Sequence, residues 1–411
     1  MIDGLSRRQV ALRILLPFAA GYFLSYLFRT INAVLSPDLV SELNLAADDL
    51  GLLTAAYFIT FGVAQLPLGL LLDRYGPRRV EAGLLCIAAF GALIFALGES
   101  KLQLIVGRGL IGLGVSACLM AAFKAFTQWF EPGRLPLING LIMAAGGLGA
   151  LVATAPVEAA LTVTDWRGVF LLLTGFTLVS AFTIFKAVPD APAPAAHEHL
   201  ASQLQGIRTV FTDAFFWKVA PLAMLSQASF ISIQSLWSGP WLRNVAGLDR
   251  TETAATLMLV ALAMMSGFLG IGFLAERLAR IGIPTVRVSA AGMSLFMLIQ
   301  AVIVMQPGAD WSTPVWILFG FFGTSGIIQY ASLSQHFPKN LAGRVNTAIN
   351  LLVFISIFFL QWMIGVIIEL WPPGSAVNYA PQSFQAAFGL LLAMQLMALG
   401  WFLYPTAGRS R

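Results

Sequence analysis

The sequence predicts an all-α integral membrane protein, with twelve transmembrane helices in two pseudo-symmetric six-helix bundles. Three observations carry that prediction. Only 10% of the 411 residues are charged and 58% are hydrophobic, whereas soluble domains carry about 25% charged residues. Apolar runs recur from end to end, most of them long enough to cross roughly 30 Å of hydrocarbon as helices. The runs are continuous and do not alternate with period two, which is a helical pattern and not that of a membrane β-barrel.

Taken in order, the candidate spans are 12–35, 51–72, 80–98, 103–129, 137–161, 167–187, 216–244, 253–275, 283–305, 312–334, 344–370 and 382–405. The net charge of +5 does not point to nucleic acid, because the basic residues fall in alternate short loops between spans. The segments "DRYGPRR" (73–79), "EPGRLP" (131–136), "ERLARIGIPTVR" (276–287) and "FPKNLAGR" (337–344) then share one side with Arg7, Arg8 and Arg13. By the positive-inside rule that side is cytoplasmic, and both termini face it. The expected location is the inner or plasma membrane. The first run is longer than a signal-peptide core and lacks a cleavage site, so it reads as the first membrane helix.

The hydrophilic break at 188–208 divides six spans from six. Residues 1–187 form the N-terminal bundle, 188–215 a cytoplasmic linker and 216–411 the C-terminal bundle. The linker's "HEH" has too few ligands for a metal site. Cys86 and Cys118 sit inside apolar runs without disulfide or metal spacing. No cofactor or metal is expected. The halves also echo one another, as in "GLLLDRYGPRRV" after the second span and "GFLAERLARIGI" after the eighth. Paired bundles suit a carrier that rocks one half against the other around a midplane site.

An arginine inside the first span, Arg29, is the strongest functional signal. Tyr22, Ser25, Tyr26, Arg29 and Asn32 recur at spacings of three and four, so they share a helix face. A polar and aromatic stripe at membrane depth belongs against protein or a watery cavity. A guanidinium there offers a permanent, forked donor set for a carboxylate or phosphate. Lys124, about a turn from the end of the fourth span, is a second candidate, equally able to snorkel to the surface. Tyr57 and Gln65, Gln227 and Gln234, Gln329 and Tyr330, and Asn346 and Asn350 are further cavity candidates or interhelix glue. No Asp or Glu falls at the centre of a span. Glu158 and Glu369 lie toward outer helix ends, and Glu158 is the candidate should an acid titrate in transport.

The loop "GLLLDRYGPRRV" resembles the G-x-x-x-D-R-x-G-R-R signature of the major facilitator superfamily of secondary transporters, through Gly69, Asp73, Arg74, Gly76, Arg78 and Arg79. Pro77 displaces the basic pair by one place. "GRGLIGLG", with Arg108, Gly112 and Gly114, resembles the family's fourth-span motif. The resemblance implies an interhalf latch made in one conformation only, from Asp73, Arg74, Gly76 and Arg78, with Glu276 and Arg277 as the degenerate copy. "YLFRTINAVLSPDL" is similar to the first helix of the organic-anion and phosphate-ester branch, matched by Arg29, Asn32, Ala33 and Pro37. That branch has a second arginine in its seventh helix. Gln227, Gln234 and Ser238 stand there instead, which favours a monocarboxylate or weakly anionic molecule over a dianionic phosphate.

The expected function is secondary active transport of a small organic anion by alternating access, as symport or antiport. A co-transported proton or a counter-anion completes the partners, and a monomer is expected. The alternative is a proton-coupled exporter of drugs or metabolites, although such exporters usually place an acid where this chain places cations. A membrane enzyme lacks any nucleophile–base pair or acidic cluster at depth, and a nucleotide-driven pump lacks its phosphate loop.

Overall fold

The computed structural model describes residues 11–131, 134–189, 200–283, 285–327, 329, 333, 336–338, 341–371 and 379–404. Among these, eight helices are long and apolar enough to span a membrane, or nine when a bent pair counts as one. Each of the twelve predicted spans has a helical counterpart. The difference in count arises where two spans merge and two others are short.

The first span is the bent pair, Leu12–Thr30 and Asn32–Leu43, turned by 48°. It runs past the predicted end at Leu35, because Pro37 lies near enough to the bend for the second segment to absorb it. The second and third spans form one segment, Ala47–Leu97, interrupted at Gly76 with φ 77° and ψ 159°. That backbone conformation is open to glycine alone at little cost, so the "RYGP" turn reverses the chain there. The fourth span is Lys101–Trp129. The fifth comprises Leu135–Val152 and Ala155–Ala160, and the sixth is Trp166–Ala187.

In the second half the seventh span is Ala214–Asn244, with a π-turn at Ile233–Trp237. The eighth is Arg250–Arg280, the ninth Thr285–Val304, the tenth Ala309–Gly323, the eleventh Ala342–Glu369 and the twelfth Pro381–Leu403. Of the linker, Leu200–Phe211 is a helix. The "HEH" of the linker and Tyr330 lie outside the described residues.

The seam between the halves decides where a cavity can exist. The second and eleventh spans meet antiparallel, with Gly365 against the Ala47 carbonyl, Gly51 against that of Gln361, and Gly62 against Phe354. A Cβ at Gly365 would stand 2.4 Å from Ala47 O, so the two backbones touch only because the side chain is missing. Beyond Gly62 the pair diverges, and the residues from Gln65 to Asp73 face Arg344 to Asn350 across open space. The bundles therefore form a V, closed at one end and open at the other.

Gly365→Val is expected to wedge this seam and cost about 1–3 kcal/mol, seen as a lower melting temperature in detergent. Gly400→Val is the control, since nothing lies within 4 Å of a Cβ there. Equal melting temperatures for the two variants would show that the seam does not require the close approach.

Candidate functional site

The open arms of the V enclose a cavity of about 240 Å³ at membrane depth. The first span contributes Tyr22, Ser25, Tyr26 and Arg29, the second Phe61 and Gln65, the seventh Gln227, and the eleventh Asn346, Asn350 and Phe354. Both halves thus line it. The helical spacing read from the sequence has the expected consequence: Tyr22, Tyr26 and Arg29 do occupy one face, aimed inward.

Arg29 lies at the floor, just before the bend in its helix, and is 8% exposed. Its guanidinium carbon stands 4.5 Å from the ring centre of Tyr26, 5.3 Å from Phe61 and 5.7 Å from Phe354. Phe61 and Phe354 pack against each other across the seam, tilted, with centroids 4.4 Å apart, so the cation rests on an aromatic surface shared by the halves. The phenols of Tyr57, Tyr26 and Tyr22 are its polar neighbours. Among the described residues no carboxylate pairs with Arg29, and its Nε has no hydrogen-bond partner. Aromatic faces offset part of the cost of burying such a charge, while the forked donors are left facing the cavity. Snorkelling is excluded, because the side chain points inward.

Several predicted site residues lie elsewhere. Asn32 is buried behind the floor, donating to Thr54 Oγ1 at 2.9 Å. Tyr57 is buried too, donating to the Ser25 carbonyl at 3.1 Å, and its ring carries Arg108 on its other flank at 5.3 Å. Arg108 donates to the Phe28 carbonyl at 2.8 Å, so it braces the first span from behind. Gln234 and Gln329 are buried but do not line the cavity. Lys124 lies in a second chamber of about 470 Å³ that shares Gln65, Met120, Asn346 and Asn350 with the first. This chamber leads out toward the basic loops.

In that second chamber Lys124 is ion-paired with Asp73 of its own half. Glu276 pairs with Arg280 on its own helix at 2.6 Å, and Arg74 and Arg78 lie over Tyr75 and Phe185. The pairing of Asp73 differs from the interhalf contact expected by resemblance. The physical reason is the opening of the V: at this end the halves stand apart, and the acid takes a cation within reach.

The closed end has the opposite arrangement. Arg250 of the eighth span donates to Asp38 Oδ1 at 2.9 Å and to Oδ2 at 2.5 Å, and its Nε lies 2.6 Å from Glu158. Arg243 donates to Ser36 Oγ at 3.0 Å, and Glu369 accepts from the Ala47 N–H at 2.5 Å. All of these contacts cross between the halves. Glu158, the acid singled out for proton coupling, is therefore a member of this clamp. In the loop beside it the Tyr379 phenol is pushed up to about 12, chiefly by burial with Glu369 adding to it, so it is neutral at physiological pH.

The sequence reading did not find Phe61, Phe354 or the Asp38–Glu158–Arg250 cluster. Aromatic residues in a span carry no signal of facing a cavity, and a bidentate pair between helices far apart in the chain has no periodicity. Among the described residues no three His, Cys, Asp or Glu side chains converge as metal ligands.

The family model of the Major Facilitator Superfamily matches residues 18–361. The chain belongs to that superfamily. A probable L-galactonate transporter of Escherichia coli is 25% identical over 406 residues, covering 89% of this chain and 86% of that protein. A probable sulfoacetate transporter of Cupriavidus necator is 26% identical over 267 residues, covering 61% of this chain and 60% of the relative. The chain spans about half to three fifths of the length of two of the curated relatives it matches. This superfamily member also shares its fold with a bacterial homologue of the human lysosomal transporter Spinster in an inward-facing, unoccupied conformation. The TM-score is 0.76 at 15% identity, over 97% of both chains.

If the Arg250 cluster holds the closed end, Arg250→Ala should expose Ser36, which is 1% exposed. With Ser36→Cys in a background lacking Cys86 and Cys118, labelling by a membrane-impermeant maleimide should accelerate roughly 5- to 150-fold on adding Arg250→Ala, the span of a 1–3 kcal/mol shift between states. An unchanged labelling rate would remove the cluster from the gate.

Proposed function

We propose that this protein is a secondary active transporter of a small organic acid, carrying a carboxylate or sulfonate across the inner or plasma membrane by alternating access. The observation that carries this reading is Arg29, a guanidinium without an acidic partner among the described residues, on the floor of a cavity lined by both halves. A site whose one fixed charge is positive favours anions, and its remaining neutral groups, Gln65, Gln227, Asn346 and Asn350, suit hydroxyl and carbonyl oxygens of a polar acid. The relatives named for L-galactonate and sulfoacetate support the same class. A single arginine fits one negative charge better than the two of a phosphate ester.

The rest of the cycle follows from the V. With the basic loops facing the cytoplasm and both termini with them, the cavity is open inward and the Arg250 clamp closes the outer side. Rocking the halves would break the clamp and bring Asp73 toward the opposite half, where the latch of Asp73, Arg74 and Arg78 would hold the outward-open state. An exporter of cationic drugs fits less well, because an unpaired arginine repels a cation at the cavity floor.

Uptake into proteoliposomes of labelled L-galactonate, sulfoacetate, a phosphate monoester and an organic cation tests the reading. A carboxylate or sulfonate should be carried. Arg29→Ala should lower its transport efficiency by roughly 10- to 100-fold, as expected for losing a charged hydrogen-bond donor of about 1.5–3 kcal/mol. Arg29→Lys should recover part of the loss by restoring charge without the fork. Carriage of the cation with Arg29→Ala fully active would sink the anion assignment.

A further inference from the structure

The transport reading leaves one buried acid unused. Glu81 stands in the second position of the third predicted span, a few residues after the "DRYGPRR" turn, where nothing in the sequence marks it. In the structure it is 0% exposed, and neither carboxyl oxygen has a hydrogen-bond partner by geometry. The side chain has a seat of its own: a Cβ on Gly21 of the first span would lie 2.3 Å from Glu81 Oε1 and 3.7 Å from Cys118 Sγ of the fourth. The missing side chain at Gly21 therefore leaves the space that the carboxyl occupies, between three helices of the N-terminal bundle.

The charged and titratable groups around this seat are few. The Cys118 thiol is the side chain facing the carboxyl, and it also feels the charge of Arg29. Lys124, further along the fourth span, is committed to Asp73. On the third span Arg78 lies over Phe185, and on the sixth Lys186 lies over Phe182. None of these cations lies against the carboxyl oxygens, which have no hydrogen-bond partner. The seat is also close to the transport cavity. Gly21 is followed by Tyr22, and Cys118 by Leu119 and Met120, all of which line it. The carboxyl thus lies behind the cavity wall, packed against the same two helices that present Arg29 and the cavity's side wall.

We propose that Glu81 is the proton-carrying acid of the transport cycle, coupled through Arg29 to the bound anion. The inference rests on the anion reading of Arg29. An empty cavity leaves the positive charge of Arg29 uncompensated, which favours a carboxylate at Glu81. A bound anion neutralises Arg29 and favours the carboxylic acid. Anion and proton then bind with positive coupling, and by linkage each strengthens the other. The step is a plain proton transfer: a proton from water in the cavity adds to a Glu81 carboxylate oxygen and leaves from it on the side to which the cavity next opens. Glu158 takes no part in it, being held by Arg250.

Two measurements test this, one of them independent of the substrate. In infrared difference spectra of the purified protein titrated with acid, the carbonyl stretch of a protonated carboxyl should appear and should be missing in Glu81→Gln. It should bleach at a pH that rises by about one unit or more, a tenfold change, in Arg29→Gln, which mimics the neutralised arginine. No band lost in Glu81→Gln, or a titration indifferent to Arg29→Gln, overturns the proposal whether or not any anion has been found to move. In proteoliposomes with L-galactonate or sulfoacetate as probe, Glu81→Gln should keep counterflow exchange and lose accumulation driven by a pH gradient, roughly tenfold or more. Gradient-driven accumulation equal to the parent protein would make Glu81 a packing residue only. If the parent protein moves neither probe, the proposed substrate class fails, and the infrared titration still decides the role of Glu81.

Discussion

A buried guanidinium with no carboxylate beside it among the described residues is the constraint around which the other features of this molecule arrange themselves. At membrane depth such a charge is costly unless it meets polarisable faces or water. Arg29 meets the first in an aromatic plate of Tyr26, Phe61 and Phe354 beneath it, and a cavity opens before it. The plate exists because Phe354 comes across from the other half, and it can do so because Gly62 has no side chain to obstruct it. One cation therefore depends on the approach of two helices from opposite bundles, and the cavity depends on their separation a turn later.

The two ends of the V handle charge in opposite ways. At the closed end Arg250 reaches across to Asp38 and Glu158, and the exchange of water for a bidentate partner is favourable because the geometry satisfies several donors at once. At the open end Asp73 lies 39% exposed beside Lys124, and an exposed pair of that kind contributes little. The asymmetry suits the two-state carrier proposed above. Contacts that lock one end must be replaceable, and those waiting at the other must not be held so strongly that they never exchange.

Much of the fold and part of the site were legible in the chain. Hydrophobic length is a local property, so the spans could be read one by one, and the loop between the second and third was marked by "DRYGPRR". The stripe from Tyr22 to Arg29 was legible for the same reason, since helical periodicity alone puts those side chains on one face. The tertiary partners were not. Asn32 and Tyr57 have the right spacing or chemistry for the cavity, yet each is consumed by a neighbour, Thr54 in one case and the Ser25 carbonyl in the other. Lys124 is consumed by Asp73, and Glu158 by an arginine in the other half.

The amino-acid sequence by itself determined the membrane class, the helical spans and the presence of a positive charge at depth, because each follows from composition and from periods of a few residues. Only the tertiary structure decided what that charge faces. Asp38 and Arg250 are 212 residues apart, and Gly21, Glu81 and Cys118 lie on three different helices. Whether a polar side chain lines a cavity, closes a gate or sits alone behind a wall depends on which helices pack together, and no local pattern records that.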